Sequence, residues 1–165
     1  MAEGEFALVR EHLEVGLRQR SIGWAVVGDH ELYAMLADAA TQQRDAVALR
    51  QYAPLAEESA RRYDHALFQA IAQRAWGVAH RLAAEYTEAE ARLNQALDLF
   101  RRLDTRWQIG RIHLELGELA LARRATTMAR DHVAQALAAF EVMQAAPDMA
   151  RARALMERLR GAEDT

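Results

Sequence analysis

The sequence predicts an all-α protein built as a stack of antiparallel helix hairpins, and three observations carry that expectation. Apolar residues recur at helical spacing: Ala89, Leu93, Ala96 and Phe100 stand at i, i+4, i+7 and i+11, with small residues where a neighbouring backbone must come close. The pattern returns forty residues later with its register intact. Finally, the 165-residue chain has only two prolines, few β-branched residues and a wealth of Ala, Leu, Arg, Glu and Gln, all favourable to helix.

The repeat is read position by position. Trp76, Gly77, Ala89, Leu93, Ala96, Leu97, Phe100 and Asp104 become Leu116, Gly117, Ala129, Val133, Ala136, Leu137, Phe140 and Gln144, so apolar stays apolar and small stays small until the last pair. Forty residues earlier the trace is fainter but in register, at Leu36, Ala37, Leu49, Ala53, Ala56 and Asp64. Val9, Leu13 and Gly16 continue it as a second helix whose first helix is missing.

Taken in order, residues 5–20 form an orphan helix, with Val9, Leu13, Gly16 and Leu17 on one side and Arg10, Glu11, Glu14 and Arg18 on the other. Ser21, Ile22 and Gly23 break its period, and Gly28 with Asp29 caps the next helix. The first complete repeat spans 29–63: a helix from Asp29 to Gln42, then a partner from near Asp45 in which Pro54 predicts a kink or a restart. The second, 64–103, pairs His65 to Ala84 with Thr87 to Leu103, and Thr87 with Glu90 reads as a capping box. In the third, 104–143, Asp104 and Thr105 cap a helix from Arg106 to Ala122, followed by one from Thr127 to Met143. Gly77 and Gly117 lie inside helices, which predicts close packing against a neighbour. Pro147 opens a capping helix over 147–160 whose arginines 151, 153, 158 and 160 give it a polar outer face, and residues 161–165 should fray. The whole, 1–165, is one domain.

These residues resemble the tetratricopeptide repeats. Trp76-Gly77, Tyr86, Ala89, Leu93 and Ala96 match the family's spacing, as do Leu116-Gly117, Ala129, Val133 and Ala136, with Phe100 and Phe140 as further packing positions. The period of forty is similar to the longer-helix variety in the helical regions of bacterial signalling ATPases, nucleotide cyclases and transcriptional regulators. The resemblance implies a right-handed α-solenoid, a superhelix whose concave face binds a protein or peptide. Carried over to this chain, that face comprises Glu31, Ala34, Asp38, Ile71, Arg74, Val78, Arg81, Arg111, Leu114, Glu118 and Arg151. Arg74, Arg81 and Arg111 around Ile71, Val78 and Leu114 would suit an acidic carboxylate or an acidic-hydrophobic peptide. Surface arginines that merely keep an apolar array soluble are the plainer reading.

Composition narrows the alternatives. All 21 basic residues are arginine, and the net charge of −3 lacks the basic footprint of a nucleic-acid binder. No apolar run approaches the roughly twenty residues that cross a bilayer, the N-terminus has no cationic segment before an apolar core, and cysteine is absent. A cytoplasmic, soluble protein is the expectation. Enzyme signatures are missing, so no catalytic residue and no cofactor is expected. His65, His80 and His113 lack metal-ligand spacing, and His80 and His113 read as hydrogen-bonded interior or boundary histidines. Two further readings stay open: self-association as a homodimer through the terminal helices, where Phe6, Leu8, Trp24, Val26 and Val27 are unassigned, and a small-ligand pocket near Trp76 or Trp107.

Overall fold

A computed structural model describes residues 3–19 and 28–163. Among them the chain forms eight helices and no strand: α1 (Glu3–Gln19), α2 (Asp29–Gln43), α3 (Ala46–Arg62), α4 (Ala66–Leu82), α5 (Tyr86–Arg102), α6 (Arg106–Ala122), α7 (Thr126–Val142) and α8 (Ala146–Glu163). Each expected helix is present, with ends moved by at most three residues. Ser21 to Val27, including Trp24, Val26 and Val27, lie outside the described residues, as does the side chain of Phe6.

The forty-residue period has a local cause. Helices α3 to α7 are each 17 residues long, and three residues join each to the next. Every connection from α2 onward turns on one left-handed residue, at Arg44, Asp64, Ala84, Asp104, Arg124 and Gln144, with φ between 49° and 61°. In each turn the amide of the next residue reaches back five positions, as Glu85 N–H does to His80 C=O at 2.9 Å, while Ala84 N–H donates to Arg81 C=O at 3.0 Å. This paired bonding is the Schellman arrangement, built here without glycine. Asp64, Asp104 and Gln144, the register position that abandons the apolar rule, are the turn residues themselves.

Three sequence expectations about helix ends are corrected. Thr87 is not a cap: α5 starts at Tyr86, Glu85 precedes it, and no side chain caps that end. The turn bonding sets the start, and Thr87 falls inside the first turn. Asp104 is the left-handed turn residue, and Thr105, though at the N-cap position of α6, makes no side-chain capping bond and sends its hydroxyl back to Phe100 C=O at 3.1 Å. Of the two outcomes expected at Pro54, the restart is overturned: α3 runs unbroken from Ala46 to Arg62. Pro54 lies on the exposed side of that helix, where water can satisfy the carbonyl that its missing amide leaves free. Asp45, by contrast, does cap α3, accepting from the amides of Val47 and Ala48 at 3.1 and 3.0 Å.

Repeat positions become core positions. Leu49, Ala89 and Ala129, then Ala53, Leu93 and Val133, then Ala56, Ala96 and Ala136 are all fully buried, as are Ala60, Phe100 and Phe140. Leu116 is buried with them, Tyr86 packs at the edge of the middle cluster, and Trp76 at the edge of the first. Gly77 and Gly117 do sit at close helix contacts: a Cβ at Gly77 would lie 2.6 Å from Leu93 Cγ, and one at Gly117 3.0 Å from Val133 Cγ2.

Each helix packs on the next, and α2, α4, α6 and α8 also touch in sequence, α2 on α4, α4 on α6 and α6 on α8. The odd-numbered α3, α5 and α7 make no such backbone approach to one another. The even-numbered helices therefore form the more closely packed, inner layer of a repeat-like fold. At one end α1 covers the first hairpin: Leu13 packs on its core, Arg10 Nη1 donates to Asp45 Oδ2 at 2.5 Å, and Tyr52 donates to Glu14 Oε1 at 2.6 Å. At the other end α8 buries Ala152, Leu155 and Leu159 and exposes Arg153, Arg158 and Arg160. No described helix is long and apolar enough to cross a membrane.

Candidate functional site: a charge network on the inner helices

The inner layer places charged residues from helices far apart in sequence within bonding distance. Asp38 of α2 sits between Arg74 of α4 and Arg111 of α6. Arg74 Nη2 donates to Asp38 Oδ1 at 2.5 Å, and Arg111 grips both carboxylate oxygens, at 2.8 Å to Oδ1 and 3.3 Å to Oδ2. Gln108 Oε1 accepts from both arginines. Arg74 lies over the Phe100 ring and Arg111 over the Trp107 ring, with guanidinium carbons 5.5 and 4.7 Å from the centroids. Arg74 is only 1% exposed and Arg111 4%.

A second knot forms around Glu115 of α6. Arg44, from the turn after α2, donates to Glu115 Oε1 at 2.7 Å. Arg81 of α4 approaches Oε2 to 3.6 Å, too far for a hydrogen bond. Further along, Glu118 accepts from Arg158 at 3.0 and 3.2 Å, while Arg151 of α8 donates to Gln42 of α2 at 2.5 Å. That last bond joins the first complete inner helix to the last.

The electrostatics follow from the low-dielectric surroundings. Burial pushes the Asp38 carboxyl upward, but Arg74 and Arg111 outweigh it and hold the group at about 2. Burial likewise opposes ionisation of Glu115, and Arg44 and Arg81 again reverse the direction. For Arg74, burial and then the adjacent Arg111 charge bring the guanidinium down to about 10 despite Asp38. Burial also lowers Arg81 and Arg151. Six guanidiniums, those of Arg44, Arg74, Arg81, Arg111, Arg151 and Arg158, thus share four carboxylates, Asp38, Glu115, Glu118 and Asp148.

The structure brings the expected groove arginines together on one layer, but it engages them internally. Ile71, Val78 and Leu114 belong to the core, at 9%, 0% and 3% exposure. The apolar floor expected between the arginines is thus absent from the surface, because each inner helix packs against neighbours on both sides. Ala34 is buried too, and Glu31 reaches back to the Gly28 amide at 3.3 Å. Arg81, Arg151 and Glu118 remain partly open, with side chains 11%, 35% and 18% exposed. The sequence reading missed Arg44, Gln108 and Glu115. Glu115 carried a signal, a lone carboxylate in the apolar run Ile112-His113-Leu114-Glu115-Leu116.

Of the histidines, His80 hydrogen-bonds Glu85 across a turn at 2.6 Å. His113 pairs with His132, Nδ1 to Nδ1, at 3.2 Å rather than approaching His80. Burial and the neighbouring His132 bring His113 down to about 4, so the pair is neutral near pH 7. No group of three or more potential ligands among the described residues is arranged to hold a metal ion. Two clefts open elsewhere: one of about 250 Å³ between α5, α6 and α7, with Glu90, Leu119, Arg123, Met128 and His132 in its wall, and one of about 310 Å³ lined by Glu57, Gln69, Gln73, Gln95, Asp98 and Arg102. Neither wall includes Trp76, whose Nε1 donates to Glu57 at 2.8 Å, or Trp107, which donates to Asp148 at 2.8 Å.

Fold and site together define an all-helical, repeat-like protein with a charge-filled inner layer. No family model matches the chain, and no curated protein matches it. Among solved structures, BtubC (BKLC) from P. vanneervenii superposes with a TM-score of 0.61 at 19% identity, covering 98% of this chain and 76% of that one. The likeness is one of fold.

Proposed function

We propose that the chain is a non-catalytic scaffold, a tetratricopeptide-like right-handed solenoid that holds an acidic segment of another protein along its inner helices. The observation that carries this reading is the excess of guanidinium over carboxylate on that layer, with Arg81 and Arg151 left partly open. Arginine forks suit carboxylates, and the concave face of such a solenoid fits an extended segment. Because Ile71, Val78 and Leu114 are interior, recognition rests on charge and hydrogen bonding at the rim, in which Glu118 limits how many acidic groups fit. Membership of a larger cytoplasmic signalling or transcriptional regulator, as the sequence resemblance implies, agrees with a module of this kind.

The test is fluorescence anisotropy with labelled Asp/Glu-rich peptides, using an Arg-rich peptide as control. Acidic peptides are expected to bind, and Arg81→Ala with Arg151→Ala to weaken binding at least tenfold while helical circular dichroism stays constant. Equal affinity in that double variant overturns the reading.

A further inference from the structure

We propose that the seam between α2, α4 and α8 seats a single phosphate-type oxyanion, held by the guanidiniums of Arg44, Arg81 and Arg151. The seat needs no polypeptide, so it stands or falls apart from the partner reading above.

The first support is local charge. Arg44, Arg81 and Arg151 all lie within electrostatic range of the buried Glu115 carboxylate. Only Arg44 hydrogen-bonds it, at 2.7 Å. Glu118, the other carboxylate facing Arg44 and Arg81, is held by Arg158 at 3.0 Å. Asp148 is 4.0 Å from Arg151 and already accepts from Trp107. Three guanidiniums therefore face one carboxylate of which only Oε1 is hydrogen-bonded, and incompletely compensated cations in a partly buried seam are costly.

The second support is unmet hydrogen bonding. Arg81 Nε is buried with no partner, and so is Glu115 Oε2 beside it. The Arg81 side chain is 11% exposed, yet its nearest carboxylate oxygen stands at 3.6 Å. At 3.6 Å the Arg81 fork and Glu115 Oε2 do not satisfy each other, so the Arg81 donors are left for an acceptor from outside. A tetrahedral oxyanion presents several acceptors in different directions, which matches forks arriving from three helices better than one planar carboxylate does. Arg151 and Arg44, at 35% and 27% side-chain exposure, leave a way in.

The test is isothermal titration and thermal denaturation of the full chain with inorganic phosphate, against sodium chloride at equal ionic strength. Free phosphoserine as a second probe distinguishes inorganic phosphate from a phosphomonoester. Saturable binding of either is expected, with a Tm rise of about 3–8 °C at saturation. Arg81→Gln with Arg151→Gln should abolish saturation, whereas Arg153→Gln, on the exposed side of α8, should keep it. Binding of neither probe overturns the proposal. So does an equal rise in the double variant, which marks a general salt effect.

Discussion

Gly77 and Leu93 meet so closely that a Cβ on the glycine would stand 2.6 Å from Leu93 Cγ and 3.3 Å from the Ala89 carbonyl oxygen. The branch atom of Leu93 cannot swing clear, so Gly77→Ala should destabilise by about 1–2 kcal/mol, overpacking outweighing the gain in helix propensity. The equivalent Gly117→Ala meets Val133 Cγ2 at 3.0 Å and Leu155 Cδ2 at 3.4 Å, both side-chain tips. It should change stability by less than about 1 kcal/mol. Urea midpoints at constant m-value check the difference.

Removing Asp38 leaves Arg74 and Arg111 without their carboxylate, although they are 1% and 4% exposed. Asp38→Ala should therefore cost about 3–5 kcal/mol. Glu58→Ala, which breaks a pair whose side chains are 68% and 66% exposed, should cost less than about 0.5 kcal/mol. Urea unfolding of both variants against the parent measures the contrast.

His113 and Asp38 mark two separate windows in the response to acid. His113 is held at about 4, against an ordinary 6.5, by burial and His132. The unfolded chain therefore takes up this proton first, and stability falls as pH drops from about 6.5 toward 4, by about 2–3 kcal/mol in all. His132 is lowered in the same direction, by burial, against Asp131 and Glu90. His113→Phe should flatten that part of the stability profile relative to the parent. Asp38, at about 2 against 3.8, contributes stability that is present above its unfolded value and lost as pH falls through the window between them. Asp38→Asn should shrink that lower step, to which the lowered Asp45, Glu57 and Glu115 carboxyls also contribute. Urea titrations at stepped pH separate the two windows.

Ala84 adopts φ 61°, a left-handed conformation that a Cβ disfavours and glycine accepts. Ala84→Gly should stabilise the chain by about 1 kcal/mol, raising Tm by about 2–4 °C. Differential scanning calorimetry is the measurement. Loss of stability would mean that the Ala84 side chain contributes packing beyond the turn.

The fold was legible because its signal is local and repeated. Ala89, Leu93, Ala96 and Phe100 mark one buried face, and two further registers, from Leu49 and from Ala129, repeat it. Helix ends were less legible: Thr87 and Glu90 have the right spacing for a capping box, but the turn at Ala84 starts α5 before Thr87 can serve. The charge network was half legible. The family resemblance placed Arg74, Arg81 and Arg111 on one layer, yet neither it nor periodicity can report which carboxylates meet them. Asp38 and Arg111 are 73 positions apart, Arg44 and Glu115 71. Such partners depend on how successive helices stack, a property summed over many packing contacts.

The hydrogen bond from Arg151 to Gln42 spans 109 positions of chain, and it ties the spacing between α2 and α8 to a set number of hairpins. An array open at both ends gains or loses a unit with little consequence beyond the new neighbour contact. Here the final helix must arrive opposite the first complete hairpin, so adding or deleting one forty-residue block would carry Arg151 past its acceptor. Between these two helices the molecule in this respect counts its own repeats, and an internal duplication there would require new partners for Arg151 and Gln42.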